Sequence, residues 1–383
     1  MNYSMHVHHA HHDGETAVAL IDDAGEPIPV VSAFLRHLAA RDCSPNTQLA
    51  YAYDLLHFFR FLARHDLAYH DVTPPHTLAL LDYLQAVPSR RLAQRLGLAA
   101  CVIDGGQPAP RLAAATVNRI FAAVSSFYEY LILVGQFPDR ENPVQKVEDV
   151  AAARVPARHQ PALGRASRQR PLRRVIRVKM VQRVPRPLSE DHVALLLGSL
   201  RRLRDKAMIL LMLQGGLRPG EVLTLHLDDI QYGRRRIVVR YRTTHPKGVR
   251  TKSRRERVVD LHEPETLHTV SAYVMRERPV DADTPFVFLV GGRGLKRREP
   301  LGYDALVRLF ARHCERVGIR APWVTPHALR HTHATRLWEG GMRELTLQRR
   351  LGHASPDSTR LYTRVSDAEV VADYRRALGE EAQ

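Results

Sequence analysis

The chain has 383 residues, and a 44% hydrophobic content excludes a wholly disordered polymer and leaves room for about two domains. Its longest apolar run near the middle, Ala207–Leu213, falls far short of the roughly 20 residues a membrane span needs, so no membrane partner is expected. Lys and Arg number 57 against 40 Asp and Glu, a net charge of +17, which suits a long polyanion because each neutralised phosphate releases condensed counterions.

Residues 1–27 read as a disordered tail. The run from His6 to His12 is histidine-rich and carries no assigned role. From 28 to 150 the pattern is helical. Val30 to Arg41 is a short apolar-periodic segment. Ser44-Pro45 reads as a helix start, with Ser44 as N-cap and Pro45 at the first position. Leu49, Tyr53, Leu56, Phe59 and Ala63 then fall on one face. Helical spacing returns at Pro75 to Gln85. A Pro- and Gly-containing insertion lies near Pro88 to Pro110. A long helix from Ala114 to Val134 turns Val117, Ile120, Val124, Phe127, Tyr128 and Leu131 inward and stops at Gly135.

Residues 151–187 change character: 11 Lys or Arg, five Pro, and no Asp or Glu. This composition predicts an Arg-rich linker lying against phosphates, because so dense a cationic run repels itself. A second unit, 188–383, opens with Ser189-Glu190-Asp191 capping a helix that buries Val193, Leu196 and Leu197. Arg204 to Gln214 is a mostly apolar, buried helix. Arg235–Arg242 and Arg257–Leu261 are strand-like, joined by a polar, basic tip. Helical pattern runs from Tyr303 to about 378. Cys43, Cys101 and Cys314 form neither a disulfide framework nor a CxxC metal site, which fits a reducing, cytoplasmic compartment.

The second unit carries the residues that metal-free phosphodiester cleavage requires. Guanidinium groups stay protonated and bind two phosphate oxygens at once. A leaving oxygen needs a proton donor. A hydroxyl nucleophile that forms a covalent intermediate keeps the phosphodiester energy, so the strand can be resealed without ATP, metal or cofactor. The order in the chain is Gly216-Leu217-Arg218-Pro219-Gly220-Glu221, then Lys252 in the basic tip, then His327-Ala328-Leu329-Arg330-His331, then Leu351-Gly352-His353, and Tyr362 nine residues on.

These motifs, in this order, resemble the tyrosine recombinases of the phage integrase type, over about residues 28–370. The resemblance implies roles position by position. Arg218 and Arg330 clamp the scissile phosphate and His327 adds a donor. Lys252 protonates the leaving 5′ oxygen. His353 orients the phosphate or assists proton traffic. Tyr362 attacks and forms a 3′-phosphotyrosyl link. Glu221 either holds Arg218 or serves as a helix-start charge. His331 and His333 read as packing or capping residues. Lys247 is the alternative to Lys252, which is preferred because it stands five residues before Arg257. Tyr374, 21 residues past His353, fits the nucleophile's place poorly.

The resemblance also implies a mainly α (α+β) fold in a C-shaped clamp. A helical, SAM-like core-binding domain (28–150) and a mostly helical catalytic domain with a small antiparallel sheet (188–383) would grip double-stranded DNA. The assembly would be a homo-tetramer on two paired sites, and a monomer or dimer when free. A helix at Asp367–Leu378 would dock on its own domain or on a neighbour. The competing functions are a type IB topoisomerase and a DNA-binding protein without catalysis. A two-metal nuclease is disfavoured, since no Asp/Glu cluster of the required kind is seen.

Overall fold

The computed structural model describes residues 5–12, 15–88, 111–137, 140–148, 172–180, 186–251, 253 and 256–352. It divides into two compact units, 1–182 and 183–383. Both are built mainly of α-helices with small antiparallel sheets.

The first unit opens with a hairpin, where a disordered tail was expected. Strand β1 (His6–His12) pairs antiparallel with β2 (Glu15–Ile21), from His6 opposite Ile21 to His12 opposite Glu15. Its order comes from the two ends. Met5 and Leu20 are buried with the helices, and the Arg60 guanidinium donates to the Met5 carbonyl at 2.6 Å. That burial offsets the entropy of ordering the segment, which the histidine-rich strand could not do alone.

Helices α1 (Pro29–Ala40), α2 (Pro45–Arg64), α3 (Pro74–Ala86) and α4 (Ala114–Leu133) form the bundle. Ser44 caps α2 as expected, accepting from Thr47 N at 3.2 Å with Pro45 at the first position. The inward face of α2 is rotated from the expected one. Leu56 and Phe59 are buried as expected, together with Ala52, Leu55, Phe58 and Leu62, whereas Tyr53 and Ala63 are exposed. The helix is apolar over more than half its circumference, so several spacings fit it; packing against α1 and α4 selects one. All six expected inward residues of α4 are buried, and Gly135 (φ +71°) ends the helix. Phe34, Phe58, Phe59 and Tyr128 pack around Phe127 at ring separations of 5.6–6.5 Å. The insertion after Pro88 lies outside the described residues.

Residues 172–180 of the expected linker belong to this unit. Strand β3 (Lys146–Glu148) pairs antiparallel with β4 (Leu172–Arg174), and the chain beyond, with Ile176 and Val178, lies partly buried against the bundle core.

In the second unit, α5 (Glu190–Ser199) is capped by Ser189, which accepts from His192 N. Helix α6 (Leu203–Leu213) is buried from Ala207 to Leu213. A turn at Gly215-Gly216 leads to the short α7 (Pro219–Leu223). A three-stranded sheet follows, β5 (Ile230–Gln231), β6 (Arg236–Val239) and β7 (Arg257–Asp260), in the order β5-β6-β7. The two-residue β5 is too short for a sequence period to reveal. Helices α8 (Pro264–Arg276), α9 (Tyr303–Arg316), α10 (Pro326–Glu339) and α11 (Glu344–Leu351) complete the described residues. The helical segment expected at Asp367–Leu378 lies beyond them.

Candidate active site

Arg218 stands at the entry to α7, on the backbone turn that ends α6. That turn is crowded. Gly216 has φ +64°, and a Cβ there would meet the His333 ring at 2.4 Å, so only glycine fits. Arg330 lies on α10, its side chain buried. Its helix is tied to the start of the unit: Leu188 N donates to Thr332 Oγ1 at 2.8 Å, and Thr332 Oγ1 donates to Ala328 O at 2.9 Å.

The two guanidiniums meet at the last turn of α11. Leu351 O accepts from Arg330 Nη2 at 2.6 Å and from Arg218 Nη1 at 3.4 Å. Arg218 Nη2 also donates to Gly352 O at 3.1 Å, and Arg330 Nη1 to Gly216 O at 2.5 Å. The Leu351 and Gly352 carbonyls lie at the electronegative end of a helix, which favours cations.

Beneath them is Glu221, only 1% exposed. Its carboxylate accepts from Arg218 N (2.8 Å) and Arg218 Nη1 (2.8 Å), so it both caps α7 and holds the side chain. The two readings the sequence left open are therefore both satisfied. Arg257, at the start of β7, grips the same carboxylate through Nη1 (2.8 Å) and Nη2 (2.7 Å), and its Nε donates to Arg350 O at 3.1 Å. Arg330 Nη1 lies 3.9 Å from Glu221 Oε2. Burial pushes the Glu221 carboxyl up, but the bonds from Arg257 and the charges of Arg257, Arg218 and Arg330 outweigh it and hold the group at about 2. Among the described residues, three guanidiniums thus share one carboxylate, a charge balance suited to an anionic ligand.

A further layer backs this cluster. His333 Nδ1–H donates to Leu213 O at 2.9 Å, and Arg350 Nε donates to His333 Nε2 at 3.2 Å. Together the two bonds require a neutral imidazole with its proton on Nδ1. Burial and the nearby Arg350 push His333 down to about 3. Burial, with His327 and Arg330 close by, pushes His331 down to about 4. His327 sits at the exposed first turn of α10. The turn after α11 uses Gly352 with φ +63°, and a Cβ there would meet Arg257 Nη1 at 2.9 Å. Gly352, uninformative as sequence, thus has a physical reason.

Of the six expected site residues, Arg218 and Arg330 come together. His327 lies on the Arg330 helix, three residues earlier. Lys252, His353 and Tyr362 lie outside the described residues. The hairpin base beside Lys252 is well fixed: Arg242 N donates to Thr251 Oγ1 at 2.8 Å, and Arg242 Nη2 donates to the fully buried Asp229 at 3.0 Å. Lys247 is engaged elsewhere, in an ion pair with Glu299 at 2.9 Å. Sequence reasoning used Arg257 only as a marker for Lys252. One signal could have found it: with period two, Arg257 shares a face with the buried Val259, and a cation on a buried face needs a partner.

Two family models match this chain. The phage integrase family covers residues 186–369, and the phage integrase N-terminal SAM-like domain covers residues 31–135. Transposase A from transposon Tn554 of Staphylococcus aureus is 28% identical over 360 residues, 94% of this chain and 93% of that protein. Tyrosine recombinase XerC of Caldanaerobacter subterraneus subsp. tengcongensis is 26% identical over 350 residues, 89% of this chain and 84% of that protein. Among solved structures, the Tn1549 transposon integrase in complex with transposon right end DNA superposes with a TM-score of 0.59 at 17% identity, covering 91% of this chain and 99% of that one. XerH recombinase bound to palindromic difH substrate gives 0.58 at 16% identity, covering 89% and 82%. At these identities the structural likeness speaks for the fold.

Proposed function

This chain belongs to the phage integrase family of tyrosine-type site-specific recombinases, and from that premise we propose that it cuts and rejoins double-stranded DNA through Tyr362, with Arg218 and Arg330 holding the scissile phosphate. The observation that carries the reading is the shared acceptor at Leu351, which two arginines from distant parts of the sequence reach together. A phosphate arriving there would replace neutral carbonyls with charged oxygens. Charge-assisted hydrogen bonds contribute about 1.5–3 kcal/mol each, so the exchange favours the phosphate.

The remaining roles follow from chemistry and position. His327 adds a donor from the helix that holds Arg330. Lys252, next to the fixed Arg242–Thr251 pair, protonates the leaving 5′ oxygen, while Lys247 stays with Glu299. Tyr362 Oη attacks phosphorus and takes up the 3′ phosphate as the 5′ oxygen leaves, with His353 orienting the phosphate. Attack by the freed 5′ hydroxyl of a partner strand reverses the step and regenerates the phenol. Exchange between two duplexes needs four such active sites, so the working assembly is a tetramer on paired sites, with a monomer or dimer free in the cytoplasm.

The test is covalent capture on a nicked suicide duplex in EDTA. A protein–DNA adduct is expected with the natural sequence, and none with Tyr362→Phe, which should still bind the duplex. An adduct in Tyr362→Phe rejects the nucleophile. Loss of the natural adduct in EDTA rejects metal-free chemistry.

A further inference from the structure

The expected linker contains a short basic segment that is built into the first unit. Leu172 to Arg174 pair with β3, Val175 N donates to Gln145 O at 3.0 Å, and beyond a bend at Val175 the chain meets α4. There Asn118 closes a reciprocal pair: its Nδ2 donates to Val178 O at 2.9 Å, and its Oδ1 accepts from Val178 N at 2.9 Å. A side-chain amide that meets both polar groups of one residue fastens an extended strand as a neighbouring strand would.

The fastening sets which residues face out. Arg174, Ile176 and Val178 are half-buried, Ile176 and Val178 against the bundle core. Arg173, Val175, Arg177 and Lys179 are exposed. Among the described residues none of Arg173, Arg177 and Lys179 makes an ion pair, whereas Lys146 across the ladder is matched by Glu129. Arg173, Arg177 and Lys179 thus present three exposed cations, on one alternation of burial, within seven residues. No acidic residue occurs anywhere in 151–187 to offset them.

We propose that residues 172–179 form a basic strap, fastened to α4 by Asn118, whose Arg173, Arg177 and Lys179 bind the phosphate backbone of duplex DNA. A fixed row of cations suits a regularly charged polyanion better than a small acidic ligand, because several phosphates are met without further ordering of the chain. The contacts are to phosphates and sugars, so the strap adds affinity and register but reads no bases. Its identification with DNA rests on the recombinase reading, although its fastening to α4 does not.

The experiment is the salt dependence of binding to a duplex, read by fluorescence anisotropy on the full chain. Each lost phosphate contact lowers the slope of log K against log salt by about 0.9, so Arg173→Gln, Arg177→Gln and Lys179→Gln combined should lower it by roughly 2 to 3. Arg173→Lys with Arg177→Lys should keep the slope, since a point charge suffices. Asn118→Ala, which keeps every charge, should also lower it. An unchanged slope in the triple Gln variant overturns the strap, as does an effect confined to single-stranded RNA. Failure of capture in the natural sequence strikes the recombinase reading, whereas an unchanged slope strikes only the strap.

Discussion

Arg257 and Glu221 form a two-pronged ion pair at 2.8 and 2.7 Å, with the carboxylate 1% exposed. The same carboxylate holds Arg218, so β7 and α7 are joined through one side chain. Removing one partner of a buried pair leaves an uncompensated charge and costs about 3–5 kcal/mol. Arg257→Ala should therefore lower stability by that order in urea unfolding of the catalytic unit. Arg257→Lys should recover only part, because an ammonium cannot reproduce the planar fork. A fully stable Arg257→Ala would show that the pair contributes nothing net.

Arg218→Ala and Arg330→Ala should each slow formation of the covalent adduct by two or more orders of magnitude, since about 1.36 kcal/mol corresponds to a factor of ten. Single-turnover rates on the suicide duplex check this. Duplex affinity should change far less than the rate, as the proposed role at the developing charge requires. Equal losses in affinity and rate would place them in ground-state binding instead.

Gly352→Ala should be harmful out of proportion to one methyl group. The left-handed conformation costs a non-glycine residue about 1–2 kcal/mol, and the new Cβ would press on Arg257 Nη1 at 2.9 Å while Arg257 is fixed by Glu221. Both thermal stability and cleavage should fall. Gly233→Ala, which meets nothing within 4 Å and does not have a positive φ, should be neutral and serves as the control. Matching behaviour of the two variants would remove the steric argument.

Acid should weaken the catalytic unit in two stages. Burial holds His333 at about 3, and His331 and His245 at about 4, all below the ordinary histidine value. The unfolded chain then binds more protons than the folded one as pH falls below about 6.5, so stability is full above that and declines down to about 3. Glu221, held at about 2 against an ordinary value of 4.5, adds a second loss between about 4.5 and 2, worth on the order of 3 kcal/mol. Urea unfolding midpoints across pH 7 to about 2 measure both. Glu221→Gln should flatten only the lower stage.

Much of this was legible in the sequence because the signals were local. Ser44-Pro45 and Ser189 marked helix starts, and the inward residues of α4 followed one clean period. Arg218 and Arg330 were found through motif and spacing. What the sequence hid was tertiary. The rotation of α2 depended on which neighbours packed against a broadly apolar helix. The order of the histidine-rich hairpin depended on Met5 and Leu20 reaching the bundle. The part of Arg257 in the cluster depended on a contact across 36 positions of the chain. Composition could say that 151–187 is basic, but not that Asn118, 60 positions earlier, fastens part of it.

The last turn of α11 has a mechanical consequence. Both arginines rest on carbonyls of residues 351 and 352, at the end of α11. Fraying of that one turn withdraws the support of both guanidiniums in the same event. The chain therefore contains a built-in interlock: a single helical turn is the rest on which both cationic arms are cocked.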